Sequence, residues 1–151
     1  MKKDKSQVAE ISISYKPAIA DKPIILTALD AYLIFIDFYS KDEISLRECF
    51  LVMYLNRAHR CLGVLPLSSG GITETVVDVR LILSVALKTA ATSIMISHNH
   101  PSGSLKPSKT DAELTNKIKE GAKLLDVILL DHLIISPIQR DYYSFADNGL
   151  L

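Results

Sequence analysis

Three side chains of the types that bind metal ions lie close together in the second half of the sequence: His98, His100 and Asp111. Residues two apart point to the same side of a β-strand, whereas on a helix they diverge by about 200° and cannot share one ion. His98 and His100 can therefore chelate an ion if they extend the apolar stretch 93–97, which they follow directly. The spacing predicts a pair of histidine ligands at the end of a strand.

A carboxylate is available for the same ion. Ten residues separate His100 from Asp111, which is enough for a loop that returns over the strand end, and Asp111 comes three residues after Ser108, the predicted cap of a helix. Two imidazoles, one carboxylate and an open position for water are the composition of a catalytic zinc site. The sequence therefore predicts a zinc centre with His98, His100 and Asp111 as ligands.

A simpler interpretation exists for each of these residues. A histidine at a strand end is usually just hydrogen-bonded, and Ser-x-x-Asp at a helix start is usually only a capping box. The combination of a His-x-His pair with a following Ser and Asp favours the metal site over these separate interpretations.

Composition limits the class of protein. The chain has 151 residues, of which 48% are hydrophobic, and this is the size of one globular domain that needs no disulfides. The two cysteines, Cys49 and Cys61, match no zinc-ribbon spacing and predict reduced thiols in a cytoplasmic protein. No apolar run is long enough for a membrane span, because Asp30 and Asp37 interrupt the most apolar early region.

Charge gives no support to binding of nucleic acid through a broad surface. The 17 Lys and Arg residues balance 17 Asp and Glu residues. Neutralising phosphates requires clustered cations, so such a protein would carry an excess of them on one face. A local basic patch remains compatible with these numbers.

The ligands must be positioned by alternating strands and helices. Periodicity predicts strands at 8–15, 48–56, 59–67, 93–97, 127–136 and 142–145, with turns at 68–71 and 137–141. Three helix caps are predicted: the first is Thr27 with Asp30, the second is Asp78, and the third is Ser108 with Asp111. The predicted fold class is α/β (mixed α+β), a mixed β-sheet flanked by helices in a single domain.

The histidine segment resembles a known family signature. His98, His100, Pro101, Ser108 and Asp111 read H-x-H-P-x6-S-x2-D, which is similar to the JAMM motif of the JAB/MPN metalloprotease superfamily. Further segments of the chain resemble the RadC branch of this superfamily: NRAH at 56–59, GGIT at 70–73, VDVR at 77–80, HNHPSG at 98–103 and DHLI at 131–134. The expected division is an N-terminal extension or strand at 1–23 and a RadC-like JAB/MPN domain at 24–151.

The resemblance implies roles for residues in this chain. It implies zinc held by His98, His100 and Asp111, and an upstream Glu that hydrogen-bonds the metal-bound water. Glu48 is the position that aligns with this Glu, and Glu43 and Glu74 are the alternatives.

Two further roles concern single residues. The resemblance implies that Ser108 helps to stabilise a developing oxyanion. His132 could orient a ligand, but we expect it mainly to satisfy the polar groups of a strand end, and we expect His59 in a turn or at a strand start. Ser68 and Ser69 have no nearby His-Asp pair, so we do not expect them to act as nucleophiles.

The predicted function is a zinc-dependent metallohydrolase that cleaves a peptide or isopeptide bond in a peptide or protein substrate. The alternatives are a non-catalytic protein associated with nucleic acid or acting as a scaffold, and a metal-dependent nuclease related to DNA repair. Longer RadC proteins carry helix-hairpin-helix elements before the MPN domain. The roughly 26 residues before Thr27 are too few for these and contain no Gly, so we expect no DNA contact from such elements.

Overall fold

The sequence folds into a mixed sheet with helices on both faces, as the computed structural model describes it for residues 8–18, 20–69, 76–138 and 140–151. Within these residues the elements are α1 (Ala28–Phe38), β1 (Cys49–Leu55), β2 (Cys61–Ser69), α2 (Val79–Lys88), β3 (Ser93–Asn99), α3 (Lys109–Lys123), β4 (Ile128–Ser136) and β5 (Asp141–Ser144). The predicted fold class, a single mixed α/β domain, is confirmed.

The sheet has the strand order β2-β1-β3-β4-β5. Strand β1 is antiparallel to both β2 and β3, and β4 is antiparallel to β5. The central pair, β3 and β4, is parallel, so the chain must cross over between them, and α3 provides this connection. The crossover brings the start of α3 to the end of β3, where the predicted ligands lie.

Two apolar cores lie on opposite faces of the sheet, because successive side chains of a strand alternate between its faces. The even-numbered residues of β1, Phe50, Val52 and Tyr54, pack with residues of α2 and α3 in one core. The odd-numbered residues of β1 pack with residues of α1 in the other core. Strand β1 is buried on both sides, as its two predicted apolar faces require.

Each predicted helix cap forms. Thr27 and Asp30 make a capping box at α1, and Asp78 accepts a hydrogen bond from the backbone N–H of Arg80 at α2. Ser108 caps α3. Such a cap is worth about 0.5–2 kcal/mol, so these polar residues contribute to where the helices begin.

The predicted strand over 8–15 is wrong. Residues 8–15 adopt no regular structure, and Ile11 and Ile13 are exposed. Apolar and polar residues do alternate in this segment, but a strand also needs a hydrogen-bonded neighbouring strand. Instead, Tyr15 anchors the segment by donating its hydroxyl to the carbonyl of Leu62 at 2.8 Å.

Other element boundaries differ from the predictions. Strand β2 starts at Cys61, because His59 turns the chain with a φ of 56°, and it continues through Ser68 and Ser69, which were predicted as a turn. Gly70 and Gly71 lie outside the described residues. Strand β3 runs two residues further than predicted, to Asn99. Among the described residues, no helix has the length and apolar character needed to cross a membrane.

Candidate metal centre

The carboxyl end of β3 carries the two histidines. His98 is paired with Phe50 of β1 on one side and with Ile134 of β4 on the other. His100 follows the strand, but its backbone N–H still donates to the carbonyl of Ile135 at 3.0 Å, which continues the ladder to β4. Because the backbone stays bonded to the sheet, the imidazoles of His98 and His100 project to the same side, as the sequence predicted.

Asp111 reaches these imidazoles from the first turn of α3. Its Oδ1 lies 3.2 Å from Nε2 of His98, and its Oδ2 lies 3.4 Å from Nε2 of His100. Oδ2 also accepts the backbone N–H of Ser108 at 2.8 Å, and Oγ of Ser108 accepts the backbone N–H of Asp111 at 3.0 Å. The capping box therefore does not exclude a metal site, since the carboxylate that completes the cap also faces both imidazoles.

The three residues fit a small divalent cation. Two ligands at 2.0–2.1 Å from a tetrahedral ion are separated by about 3.3 Å. Nε2 of His98 and Nε2 of His100 lie 2.9 Å apart. One oxygen of Asp111 lies 3.2 Å from the first of these atoms, and its other oxygen lies 3.4 Å from the second, so all three distances are close to this value. The other ring nitrogens are engaged elsewhere: Nδ1 of His100 donates to the carbonyl of Ser104 at 2.8 Å, and Nδ1 of His98 contacts His132. Both Nε2 atoms are thus directed at the shared position.

The electrostatics of the cluster also favour a cation. The hydrogen bond to Asp111 raises the pKa of His100, assisted by the Ser104 carbonyl and opposed by burial. Burial alone would raise the pKa of Asp111, but the imidazoles of His100 and His98, which donate to its carboxylate when they carry a proton on Nε2, hold that pKa well below its usual range. The site therefore stabilises positive charge, which a proton on His100 or a metal ion can supply.

Glu48 lies beside the cluster. The antiparallel pairing of Phe50 with His98 places residue 48, two residues earlier, on the same face and next to the end of β3. One carboxylate oxygen of Glu48 is 3.9 Å from Nε2 of His98, and the side chain is 21% exposed. Glu48 and the three predicted ligands line one cleft of about 650 Å³.

The alternative glutamates are placed differently. Glu43 is 42% exposed and pairs with Arg47 at 3.5 Å, away from the cleft. Glu74 lies outside the described residues. Of the two described candidates, only Glu48 reaches the ligand cluster.

Asn99 holds the loop that carries Glu48, a role that was not predicted from the sequence. It points to the opposite face from His98 and is fully buried. Its side-chain oxygen accepts the backbone N–H of Cys49 at 2.7 Å. Its amide nitrogen donates to the carbonyls of Ile44 at 2.6 Å and Arg47 at 2.9 Å. The segment before β1 is thereby tied to the strand that bears the ligands.

His132 takes the less expected of the two places predicted for it from the sequence. We expected it mainly to satisfy a strand end, but its Nε2 lies 2.7 Å from Nδ1 of His98. Its Nδ1 lies 2.6 Å from the hydroxyl of Thr115 in α3. Burial lowers the pKa of His132 well below its usual value, and its ring stacks on Phe145 at 4.5 Å.

A tight turn separates the histidines from α3. The backbone N–H of Gly103 donates to the carbonyl of His100 at 2.9 Å, and Gly103 has a φ of 84°. A Cβ at this position would lie 2.8 Å from Cδ1 of Ile138. Both the backbone conformation and the lack of space therefore require glycine here.

The remaining residues singled out in the sequence have other places in the fold. His59 is exposed in the turn before β2. Cys49 and Cys61 are free thiols, and burial raises the pKa of each. Ser68 and Ser69 are the last two residues of β2.

The fold and the cluster agree with a comparison of the chain with known protein families. The profile of the family described as RadC-like JAB domain matches residues 26–150. This range covers most of the chain, so the protein belongs to the RadC-like JAB domain family. The resemblance inferred from the histidine motif is confirmed.

Individual relatives support the same family. A protein of Flavobacterium johnsoniae is 47% identical over 103 residues, which are 68% of this chain and 44% of that protein. One of Porphyromonas gingivalis is 45% identical over 105 residues, covering 70% and 46%, and one of Streptococcus sanguinis is 41% identical over 101 residues, covering 67% and 44%. All three are named UPF0758 protein. The chain spans less than half the length of these curated relatives.

Proposed function

We propose that the protein is a zinc-dependent metallohydrolase that cleaves peptide or isopeptide bonds, with His98, His100 and Asp111 as the metal ligands. The observation that carries this proposal is the convergence of these three side chains, with Glu48 beside them, at the wall of an open cleft. Two imidazoles and one carboxylate leave one position of a tetrahedral zinc ion for water or substrate. A purely structural zinc site would normally be closed by a fourth protein ligand.

Glu48 is the proposed general base. When bound, zinc lowers the pKa of a coordinated water toward ~7 and polarises a carbonyl oxygen. The carboxylate of Glu48 accepts the proton of the attacking water and passes it to the leaving amine. Such proton transfer contributes about 10²- to 10⁴-fold to the rate.

Ser108 is proposed to stabilise the oxyanion. Its oxygen accepts the backbone N–H of Asp111, but its hydroxyl proton remains available to donate. Ser108 lines the same cleft as Glu48. A donor directed at the developing negative charge is worth about 2.7–4 kcal/mol where it has been removed from other enzymes.

The character of the cleft favours a peptide over a nucleic acid. Phe50, Val77 and Leu114 give it apolar walls, which suit an extended peptide with alternating side chains. Among the described residues that line it, Lys106 is the only Lys or Arg. Phosphate binding requires several cations, and this wall also carries the carboxylates of Glu48 and Asp111. The free thiols Cys49 and Cys61 support a reducing compartment such as the cytoplasm as its location.

The proposal is tested by incubating zinc-loaded protein with peptide and isopeptide libraries and, separately, with single- and double-stranded DNA. The products are identified by mass spectrometry. We expect cleavage of amide bonds by the wild type and none by Glu48→Gln, although this variant should bind zinc and fold normally. The matched control is Glu43→Gln, which should cleave as the wild type does.

Each other result would replace the proposal. Cleavage of DNA that depends on Asp111 would make the protein a nuclease. Zinc-loaded protein that cleaves neither class of substrate would favour a non-catalytic role. Amide cleavage that survives in Glu48→Gln but is lost in Glu43→Gln would assign the base to Glu43.

A further inference from the structure

A buried chain of hydrogen bonds connects two of the proposed ligands behind the metal site. Nδ1 of His98 lies 2.7 Å from Nε2 of His132, and Nδ1 of His132 lies 2.6 Å from the hydroxyl of Thr115. That hydroxyl lies 2.6 Å from the backbone carbonyl of Asp111, one helical turn earlier. His98, His132 and Thr115 are each at most 2% exposed, so these polar groups are withdrawn from solvent.

The direction of every hydrogen bond in this chain is determined by its last acceptor. A backbone carbonyl can only accept, so the single hydroxyl proton of Thr115 must be donated to Asp111. The oxygen of Thr115 then has to accept its contact with His132, which places the proton of that neutral ring on Nδ1. Nε2 of His132 is left with a lone pair and accepts from Nδ1–H of His98.

We propose that His132 is a positioning residue that fixes the tautomer of His98, so that Nε2 of His98 presents a lone pair to the metal position. A neutral imidazole can carry its proton on either nitrogen, and a proton on Nε2 would block coordination. The inference rests on the proposed metal site for its purpose, but which nitrogen carries the proton of the neutral His98 ring is a property of the metal-free protein.

The two histidine ligands reach the same tautomer by different means. His100 is partly buried at the cleft and donates Nδ1–H to the backbone carbonyl of Ser104. His98 is enclosed between β1 and β4, where its ring is 6.4 Å from that of Phe50 and 4.8 Å from that of His132. For its Nδ1 the acceptor is a side chain, so a substitution can remove it.

Thr115 completes the arrangement from α3. Without its hydroxyl, the proton of His132 could occupy either nitrogen, and His98 would no longer face a fixed acceptor. The same hydroxyl bonds the carbonyl of Asp111, so one side chain connects the ligand on the strand with the ligand on the helix. Partners of this kind typically change metal affinity by about 10- to 100-fold when they are replaced.

The test measures tautomers and zinc affinity together. Long-range ¹H–¹⁵N spectra of the metal-free protein, recorded at alkaline pH, identify which nitrogen of His98 is protonated, and chelator competition gives the zinc affinity. In the wild type we expect the proton on Nδ1. In His132→Leu we expect His98 to shift toward the Nε2–H form, and zinc affinity to fall about 10- to 100-fold.

Two further variants guard against a loss of folding. His132→Gln keeps an acceptor that can face His98 and should retain most of the tautomer and the affinity, whereas a mere packing role for the ring would not be rescued in this way. Thr115→Val preserves shape and should shift both measurements in the same direction as His132→Leu, so it serves if the leucine variant does not fold.

Several results would overturn the inference. One is a proton on Nε2 of His98 in the wild type, and another is wild-type tautomer and zinc affinity in Thr115→Val or in a folded His132→Leu. A failure of the proposed hydrolytic function can be distinguished from a failure of this inference. A protein that binds zinc but cleaves nothing leaves the inference intact, and a protein that binds no zinc still has its tautomer decided by the spectra.

Discussion

Asp111 shows how one side chain can satisfy a local and a tertiary requirement at once. Its carboxylate accepts the backbone N–H of Ser108 as part of the capping box and also faces the imidazoles of His98 and His100. The cap holds the carboxylate in place before any metal arrives, which lowers the entropic cost of assembling the site. A motif that is usually only a helix start therefore also provides a candidate metal ligand here.

Ser108 can be tested separately as a cap and as a donor. Ser108→Asp should keep the cap, since Asp caps helices as well as Ser does, but it has no proton to donate at neutral pH and would repel an oxyanion. We expect a melting temperature near that of the wild type and loss of turnover. Ser108→Ala is the control for the cap and should cost about 0.5–2 kcal/mol of stability. A stable Ser108→Asp protein with wild-type kcat would remove Ser108 from the mechanism.

The raised pKa of His100 predicts that rising pH lowers the stability of the metal-free protein but raises its affinity for zinc. This raised pKa means that the contribution of His100 to the stability of the metal-free protein is complete below the ordinary value of about 6.5 and is lost as pH rises through the raised value. Zinc binds the neutral ring, so its affinity should rise over the same range, by up to about tenfold per pH unit for each proton released.

Thermal unfolding of the metal-free protein and chelator competition with zinc, each over a series of pH values, measure the two trends. Asp111 contributes with the opposite sign, since its lowered pKa gives stability that is present above about pH 3.9 and lost in acid. The pH window for His100 lies above this range, so the two effects are separable. A zinc affinity that does not change between about pH 6 and pH 8 would contradict the role of His100 as a ligand.

At the scale of elements, the register of the sheet assembles the site. The pairing of β1 with β3 brings Phe50 opposite His98 and so directs Glu48 toward the cleft. The parallel pairing of β3 with β4 brings His132 next to Ile96, two residues before His98 on the same face. Glu48 and the predicted histidine ligands thus lie where β1 begins and β3 ends, and His132 of β4 lies behind them.

Asn99 should be the residue that couples the loop before β1 to this end of the sheet. Asn99→Asp would replace its donors to the carbonyls of Ile44 and Arg47 with an acceptor. Each carbonyl left without a donor costs about 1–3 kcal/mol, so we expect a clear fall in melting temperature together with reduced Glu48-dependent hydrolysis.

The control is Asn56→Asp, because the side-chain oxygen of Asn56 only accepts from the backbone N–H groups of Ala58 and Arg60, and an aspartate can do the same. This variant should melt and react as the wild type does. Equal stability of Asn99→Asp and Asn56→Asp would show that Asn99 does not hold the loop.

At the scale of the whole molecule, the sequence predicted what depends on short spacings. The helix caps, the two faces of β1 and the mixed sheet followed from local patterns, and so did the histidine pair and the carboxylate at the start of α3. The strand at 8–15 failed because alternation alone does not supply a neighbouring strand. Thr115 and Asn99 were missed, and the contact of His132 with a ligand was only the less expected alternative. The partners of these residues are set by strand register and by crossover packing, which no short motif encodes.

Zinc content is the measurement that tests the central claim most directly. Protein purified without chelator is analysed by mass spectrometry of its metals, alongside His98→Ala and His100→Ala. The account predicts about one zinc ion per chain in the wild type and its loss in both variants, because a site of three protein ligands cannot spare one. Full zinc content in both variants would contradict the assignment of the metal centre.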